Sequence, residues 1–169
     1  MIKKVVWGVI FILTAALLQS TVFSRLAVHI HAVPDIALVI LVFIAYVNGT
    51  MTGQLTGFFS GLLVDLLSSS PIGLNALVRT FIGALAGFIK GTFFLDIFLL
   101  PMVLCAGATV LKVLIYYLLH FFLPAAVPAY NFFGLTLWVE LGLNTLLGPF
   151  LFAFLKLFES LLAEQRENN

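Results

Sequence analysis

Six long apolar segments, separated only by short polar breaks, make up most of the sequence. With an averaging window of about 19 residues, they cover residues 5–23, 34–47, 51–67, 73–89, 101–122 and 132–158. An α-helix needs about 20 apolar residues to cross a hydrocarbon core of about 30 Å. A chain of 169 residues that is 63% hydrophobic and 9% charged also lacks the polar surface of a water-soluble domain. We therefore predict an all-α membrane protein, a single polytopic domain over residues 1–169 with six spans.

The short breaks exclude several classes of function. They leave no room for a nucleotide-binding or periplasmic catalytic domain, and 8 basic against 7 acidic residues give no nucleic-acid surface. The single cysteine, Cys105, can form neither an intramolecular disulfide nor a cysteine metal site. His29 and His31 lie near Asp35 but lack a third and a fourth ligand, so we interpret them as interface histidines. The sequence predicts no enzyme, no metal and no cofactor.

Basic residues predict the orientation of the spans. In a six-span arrangement only Arg25 flanks one side, whereas the other side, where cytoplasmic Lys and Arg are expected to collect, carries Lys3, Lys4, Lys90, Lys156 and Arg166. Both termini are therefore predicted in the cytoplasm, with residues 159–169 as a short polar tail. The segment 34–47 reaches only about 21 Å, so it is either a tilted short span or a re-entrant segment.

The third and fourth segments carry rows of glycines at steps of four, which permit close helix packing in membranes. The two rows mirror each other about the turn at 68–73, so Gly57 and Gly61 are predicted to pack against Gly83 and Gly87. At the end of the rows, Asp65 and Arg79 are predicted to form an ion pair, which lowers the cost of charge at membrane depth. The pair is either a structural contact or a functional one. The complete set of predicted packing glycines is Gly53, Gly57, Gly61, Gly83, Gly87 and Gly91.

A second mirror relates the fifth and sixth segments. Lys112 and Glu140 are equally far from the centre of the loop that joins these segments, so they can meet as an ion pair. Asn144 follows Glu140 by four residues and shares its helix face. Ionisable residues inside membranes are often functional. Lys112 and Glu140 are therefore either a structural pair or part of a partner groove or ligand cavity.

The order of these features resembles the MreD family of bacterial rod shape-determining proteins. The first span ends in Leu-Leu-Gln19-Ser20 and the second opens with Pro34-Asp35-Ile36. The glycine-stepped third span ends at Asp65, and the turn Pro71-Ile-Gly73-Leu-Asn75 leads into a glycine-rich fourth span. The resemblance implies a helical bundle similar to the substrate-binding subunits of energy-coupling factor transporters.

The resemblance also implies a task, that of a non-enzymatic scaffold in the bacterial cytoplasmic (inner) membrane. Its implied partners are the transmembrane helix of MreC and, through MreC, the MreB filament, the RodA glycosyltransferase and a penicillin-binding transpeptidase. Gln19 and Asn144 are candidates for the partner groove. The alternative is a substrate-binding subunit of a vitamin-type transporter, in which Lys112, Glu140 and Asn144 line a cavity that the loop 24–33 closes.

Overall fold

The computed structural model describes residues 1–23, 33–68, 70–91, 98–125, 127 and 134–162, and within these ranges the regular structure is entirely helical. The helices are α1 (Ile2–Leu18, continued by a π-helical turn, Gln19–Phe23), α2 (Ile36–Asn48), α3 (Thr50–Leu67), α4 (Leu74–Phe88), α5 (Leu99–Phe122), α6 (Leu135–Lys156) and α7 (Glu159–Leu162). The first six occupy the predicted apolar segments, and when the π-helical turn is counted with α1 their ends differ from the predicted ones by at most three residues.

Three of these helices are long and apolar enough to cross a membrane, judged by length and composition. They are Ile2–Thr21, Leu99–Phe122 and Leu135–Lys156. The helices α2 and α4 are apolar but shorter, and α3 is interrupted by small and hydroxyl-bearing residues. Over the described residues the chain is thus all-helical with three candidate membrane spans, while six crossings with both ends in the cytoplasm stay a prediction.

The short helix α2 lies at the centre of the bundle. All its residues from Ala37 to Ala45 are at most 4% exposed, and the helix contacts α1, α3, α4, α5 and α6. A helix that is apolar on every side is expected to be enclosed by others. The segment 34–47 is therefore a core helix of the bundle, and its 13 helical residues need no lipid-facing surface.

The helices α3 and α4 form the closest helix pair, and glycines make this approach possible. A Cβ at Gly53, Gly57 or Gly61 would overlap the backbone of α4, and one at Gly83 or Gly87 would overlap the backbone at or just before α3. The predicted pairs are nevertheless wrong. Gly57 lies against Arg79, which is eight residues before the predicted partner Gly87 on α4. Gly53 lies against Gly83.

Gly61 and Gly91 also differ from the prediction. Gly61 lies against Asn75 and Ala76 instead of Gly83. Gly91 follows the end of α4 with φ +73°, a conformation that favours glycine, and no atom of the described residues lies within 4 Å of the position of a Cβ there. It is therefore not a helix-packing residue.

The carboxylate of Asp65, at the end of α3, explains the different register. It accepts hydrogen bonds from the backbone N–H groups of Gly73 (3.0 Å), Asn75 (3.0 Å) and Ala76 (3.1 Å) and from the hydroxyl of Ser70 (3.0 Å). The first N–H groups of a helix have no partner within the helix. By binding those of α4, Asp65 holds the start of α4 beside the last turn of α3.

The C-terminal helix α7 packs on the bundle. Leu162 is fully buried, and its carbonyl oxygen accepts a hydrogen bond from Asn48 Nδ2 at 2.6 Å. The ring centroids of Phe158, just before α7, and Phe11 of α1 are 5.4 Å apart. The predicted short polar tail thus begins with a helical turn at residues 159–162 that packs on the bundle, and residues 163–169 lie outside the described residues.

Candidate functional site

Four charged side chains from four parts of the chain meet in one place, which we call the ionic cluster: Asp35, Arg79, Lys112 and Glu140. Asp35 precedes α2, Arg79 is on α4, Lys112 on α5 and Glu140 on α6. Lys112 Nζ lies 3.0 Å from Asp35 Oδ2 and also contacts Glu140 Oε1, while Arg79 Nη2 lies 3.5 Å from Asp35 Oδ1. The four side chains are between 8% and 16% exposed. The cluster is thus mostly buried, and its two positive and two negative charges balance.

The structure brings Lys112 and Glu140 together, but it does not pair Asp65 with Arg79. The carboxylate of Asp65 accepts hydrogen bonds from the turn and from the first residues of α4. Arg79 lies one helical turn beyond Asn75. From there its guanidinium reaches Asp35 at the start of α2. The predicted Asp65–Arg79 ion pair is therefore wrong.

The N-terminus of α2 is held by side chains of two other helices. Asn144 Oδ1 of α6 accepts a hydrogen bond from the N–H of Asp35 (2.8 Å), and Gln19 Oε1 of α1 accepts one from the N–H of Ile36 (3.2 Å). The carboxylate of Asp35 caps the helix by accepting from the N–H of Leu38 at 3.0 Å. A helix end inside a bundle requires such partners because water does not supply them there.

These contacts change the interpretation of two predicted groove residues. Asn144 is fully buried, and its Nδ2 donates to the hydroxyl of Thr109 at 3.0 Å. It therefore faces the interior and not a partner groove. Gln19 is also bound to α2, although its side chain lines the cavity beside the ionic cluster.

Tyr116 connects the capped turn with the helix that carries Lys112. Its hydroxyl donates to Asn75 Oδ1 at 2.9 Å, and Asn75 Nδ2 donates to Asp65 Oδ1 at 2.9 Å. Tyr116 and Lys112 are four residues apart on α5 and share a face of that helix. Polar contacts thus join helices α1 to α6 at one end of the bundle.

An open cavity of about 360 Å³ lies beside this polar region. All four members of the ionic cluster line it, together with Gln19 and Ser20. Within the described residues, Arg79 Nη1 has no hydrogen-bond partner. Both cations nevertheless have a carboxylate beside them, so the chain itself balances the charges of the cavity.

The two carboxylates of the ionic cluster bind the two cations, and that of Asp35 also caps α2. The described residues contain no group of three metal-ligating side chains. His29 and His31 lie outside the described residues, and Cys105 is buried where a Cβ on Gly148 would contact its sulfur.

Asp35, Asn75 and Tyr116 are members of the polar region that the mirror argument did not find. Mirror symmetry about a turn relates only the two helices that the turn joins, whereas Asp35 binds residues of α4 and α5. One signal was present in the sequence. An aspartate directly after Pro34 and before an apolar run is typical of a helix N-cap, and such a cap in a membrane bundle needs partners for its charge.

The comparisons with known proteins agree with the resemblance seen in the sequence. The model of the family described as "rod shape-determining protein MreD" matches residues 1–158, which is nearly the whole chain. No curated protein and no solved structure matches the chain. The MreD family is a family of shape-determining membrane proteins with no known enzymatic activity. The chain therefore belongs to the MreD family and has a role in determining rod cell shape.

Proposed function

We propose that this protein is a non-enzymatic scaffold of the cell-elongation machinery in the bacterial inner membrane. In this proposal it binds the transmembrane helix of MreC and so helps to position RodA and its transpeptidase partner along MreB filaments. The observation that carries the proposal is the family match over residues 1–158. The buried, balanced charges support it, because such groups hold the bundle in one arrangement and leave its lateral faces for partners.

A lateral groove between α4 and α5 is the face that we propose for MreC. It has a volume of about 440 Å³, and small residues lie along it: Ala86, Gly107 and Ala108. Among the residues that the structure describes, none has an atom within 4 Å of the position that a Cβ would take at Gly107. Small residues at such a place let the backbone of another helix approach closely, which favours helix association in lipid.

We also propose that the end with Lys3, Lys90 and Lys156 faces the cytoplasm. These lysines lie at the start of α1 and at the ends of α4 and α6. The bias of Lys and Arg toward cytoplasmic ends supports this orientation. The ionic cluster then lies toward the periplasm, where the periplasmic part of MreC would begin.

One observation favours the alternative, a substrate-binding subunit of a transporter. The cavity of about 360 Å³ is lined by Lys112 and Glu140 and is large enough for a small polar molecule. Against this alternative, each of these charges already has an opposite charge beside it. At the other end of the bundle, α7 covers the end of α2 through Leu162. The scaffold therefore remains the better proposal.

Cysteine crosslinking tests the proposed groove. In a Cys105→Ala background, Gly107→Cys on α5 should crosslink with a cysteine in the MreC transmembrane helix. The matched control is Gly142→Cys on the exposed face of α6, where a Cβ also meets open space. Equal crosslinking at both positions would reject this groove. Loss of MreC during purification, together with recovery of a bound vitamin and ATP-binding subunits, would reject the scaffold in favour of the transporter.

A further inference from the structure

A second lateral groove runs between α1 and α3 and differs in character from the one between α4 and α5. Its volume is about 490 Å³, and its lining within the described part of the chain consists of Met, Ile, Val, Leu and Phe side chains, among them Ile2, Val6 and Ile10 of α1 and Leu55 and Phe59 of α3. Several of these are exposed: Ile2 by 75%, Val6 by 50% and Phe59 by 46%. Without Gly, Ala or Ser along the groove, the backbone of another helix cannot approach as closely.

The length of the groove matches one leaflet of a bilayer. From Ile2 to Ile10 the α1 side rises by about 12 Å at about 1.5 Å per residue. One leaflet is half of a hydrocarbon core of about 30 Å, which is about 15 Å. The groove is therefore about as long as the part of an acyl chain that lies in one leaflet.

Charge at the end of the groove adds a preference for the headgroup. Lys3 is exposed and directly follows Ile2 at the start of α1, and Lys4 is its neighbour. A lysine side chain at a helix end extends its ammonium toward the headgroup region while its stem stays on apolar surface. Basic residues at the membrane surface attract anionic lipids.

We infer that the groove between α1 and α3 is a binding site for an anionic phospholipid, with one acyl chain along Val6 and Ile10 and the headgroup phosphate beside Lys3. This site goes beyond the scaffold function, since it uses another face of the bundle and does not require MreC. At this site the protein would bind one lipid specifically, in addition to being surrounded by bulk lipid.

The test measures the lipids that stay bound to the whole protein. The protein is placed in bilayers with equal amounts of phosphatidylglycerol and phosphatidylethanolamine, extracted in mild detergent, and analysed by native mass spectrometry. We expect retained lipid that is enriched in phosphatidylglycerol. Lys3→Gln should lower this enrichment about fivefold, which corresponds to about 1 kcal/mol for one surface lysine, whereas Lys90→Gln, at the same end but away from the groove, should leave it unchanged.

A second variant fills the groove without changing its charge. Val6→Trp should remove the retained lipid, whereas Leu118→Trp on α5, which replaces a side chain with a similar exposure of 55%, should not. Equal lipid retention in all tryptophan variants, or equal enrichment in both lysine variants, would overturn the inference. Crosslinking of Val6→Cys to a partner helix in cells would overturn it as well. Because Lys3→Gln leaves helix packing untouched, its result holds even if Val6→Trp folds poorly.

Discussion

Asp35 is the member of the ionic cluster whose replacement should have the largest effect. It is the only carboxylate among the described residues that contacts both cations, Arg79 at 3.5 Å and Lys112 at 3.0 Å. The variant Asp35→Asn removes the negative charge but keeps an oxygen that can accept from the N–H of Leu38, so the helix cap is retained. The variant therefore isolates the effect of the charge.

The expected cost follows from the partners that remain. Lys112 still has Glu140, but Arg79 loses its ion pair, so one cation is left uncompensated. Removing one partner of a buried ion pair costs about 3–5 kcal/mol in soluble proteins, and polar contacts in membrane bundles contribute less, about 0.6 kcal/mol on average. We therefore expect Asp35→Asn to lower the free energy of unfolding by about 2–3 kcal/mol. Asp35→Ala should cost about 1 kcal/mol more, since it also removes the cap.

The free energy of unfolding can be measured by steric trapping of the protein in bicelles. Glu159→Gln, which neutralises an exposed carboxylate on α7, serves as the control. The double variant Asp35→Asn with Arg79→Gln removes both members of the pair and should recover part of the loss, with a coupling energy of about 1–2 kcal/mol. The reasoning is refuted if Asp35→Asn is as stable as the control, or if the two single losses simply add.

Three further substitutions, with Gly142→Ala and Asp65→Asn for comparison, test the packing and the helix ends by the same measurement of unfolding. Gly57→Ala places a Cβ on the carbonyl of Arg79 and should lower the free energy of unfolding by several kcal/mol. At Gly142 no described atom lies near the added Cβ, so Gly142→Ala should leave the free energy of unfolding unchanged or raise it by up to about 1 kcal/mol. Equal effects of the two variants would contradict the close approach of α3 and α4. Asp65→Ala removes the acceptor for the first N–H groups of α4 and should destabilise by about 2–4 kcal/mol, more than Asp65→Asn. Asn144→Leu should cost about 1–3 kcal/mol because the N–H of Asp35 loses its acceptor, and a stability equal to wild type would show that this N–H has another partner.

The helix positions could be predicted from the sequence because apolar runs and Gly or Pro breaks record them directly. The segment 73–89, for example, became Leu74–Phe88. The relative register of two helices follows from distances along the chain only when no side chain at the turn shifts one helix against the other. At the turn between α5 and α6 the mirror argument set Lys112 level with Glu140, and there the structure has them in contact. At the turn between α3 and α4 the carboxylate of Asp65 binds the start of α4, and the same argument gave the wrong pairs.

Contacts between helices that are distant in the sequence could not be predicted in this way. Arg79 and Lys112 both form ion pairs with Asp35 because of the position of α2 in the bundle. Nothing in the local pattern of 34–47 shows that this segment is central, since a short apolar run is compatible with several positions in a membrane protein. The burial of Ala37 to Ala45 decides it, and the partners of Asp35 follow from that position.

The shortness of α2 explains why the polar residues collect where they do. Its 13 residues rise by about 20 Å, which is about 10 Å less than the hydrocarbon core. A helix that ends inside the core leaves N–H and C=O groups that lipid cannot satisfy. At the first end Gln19 and Asn144 accept from these N–H groups, and the ionic cluster lies beside them. At the second end Asn48 Nδ2 donates to the carbonyl of Ile44 within α2 and to that of Leu162, so α7 lies against this end of α2. In the proposed six-span arrangement the charges within the bundle therefore lie at the end of a central helix that is shorter than the hydrocarbon core, and lengthening α2 without removing them should prevent the bundle from closing.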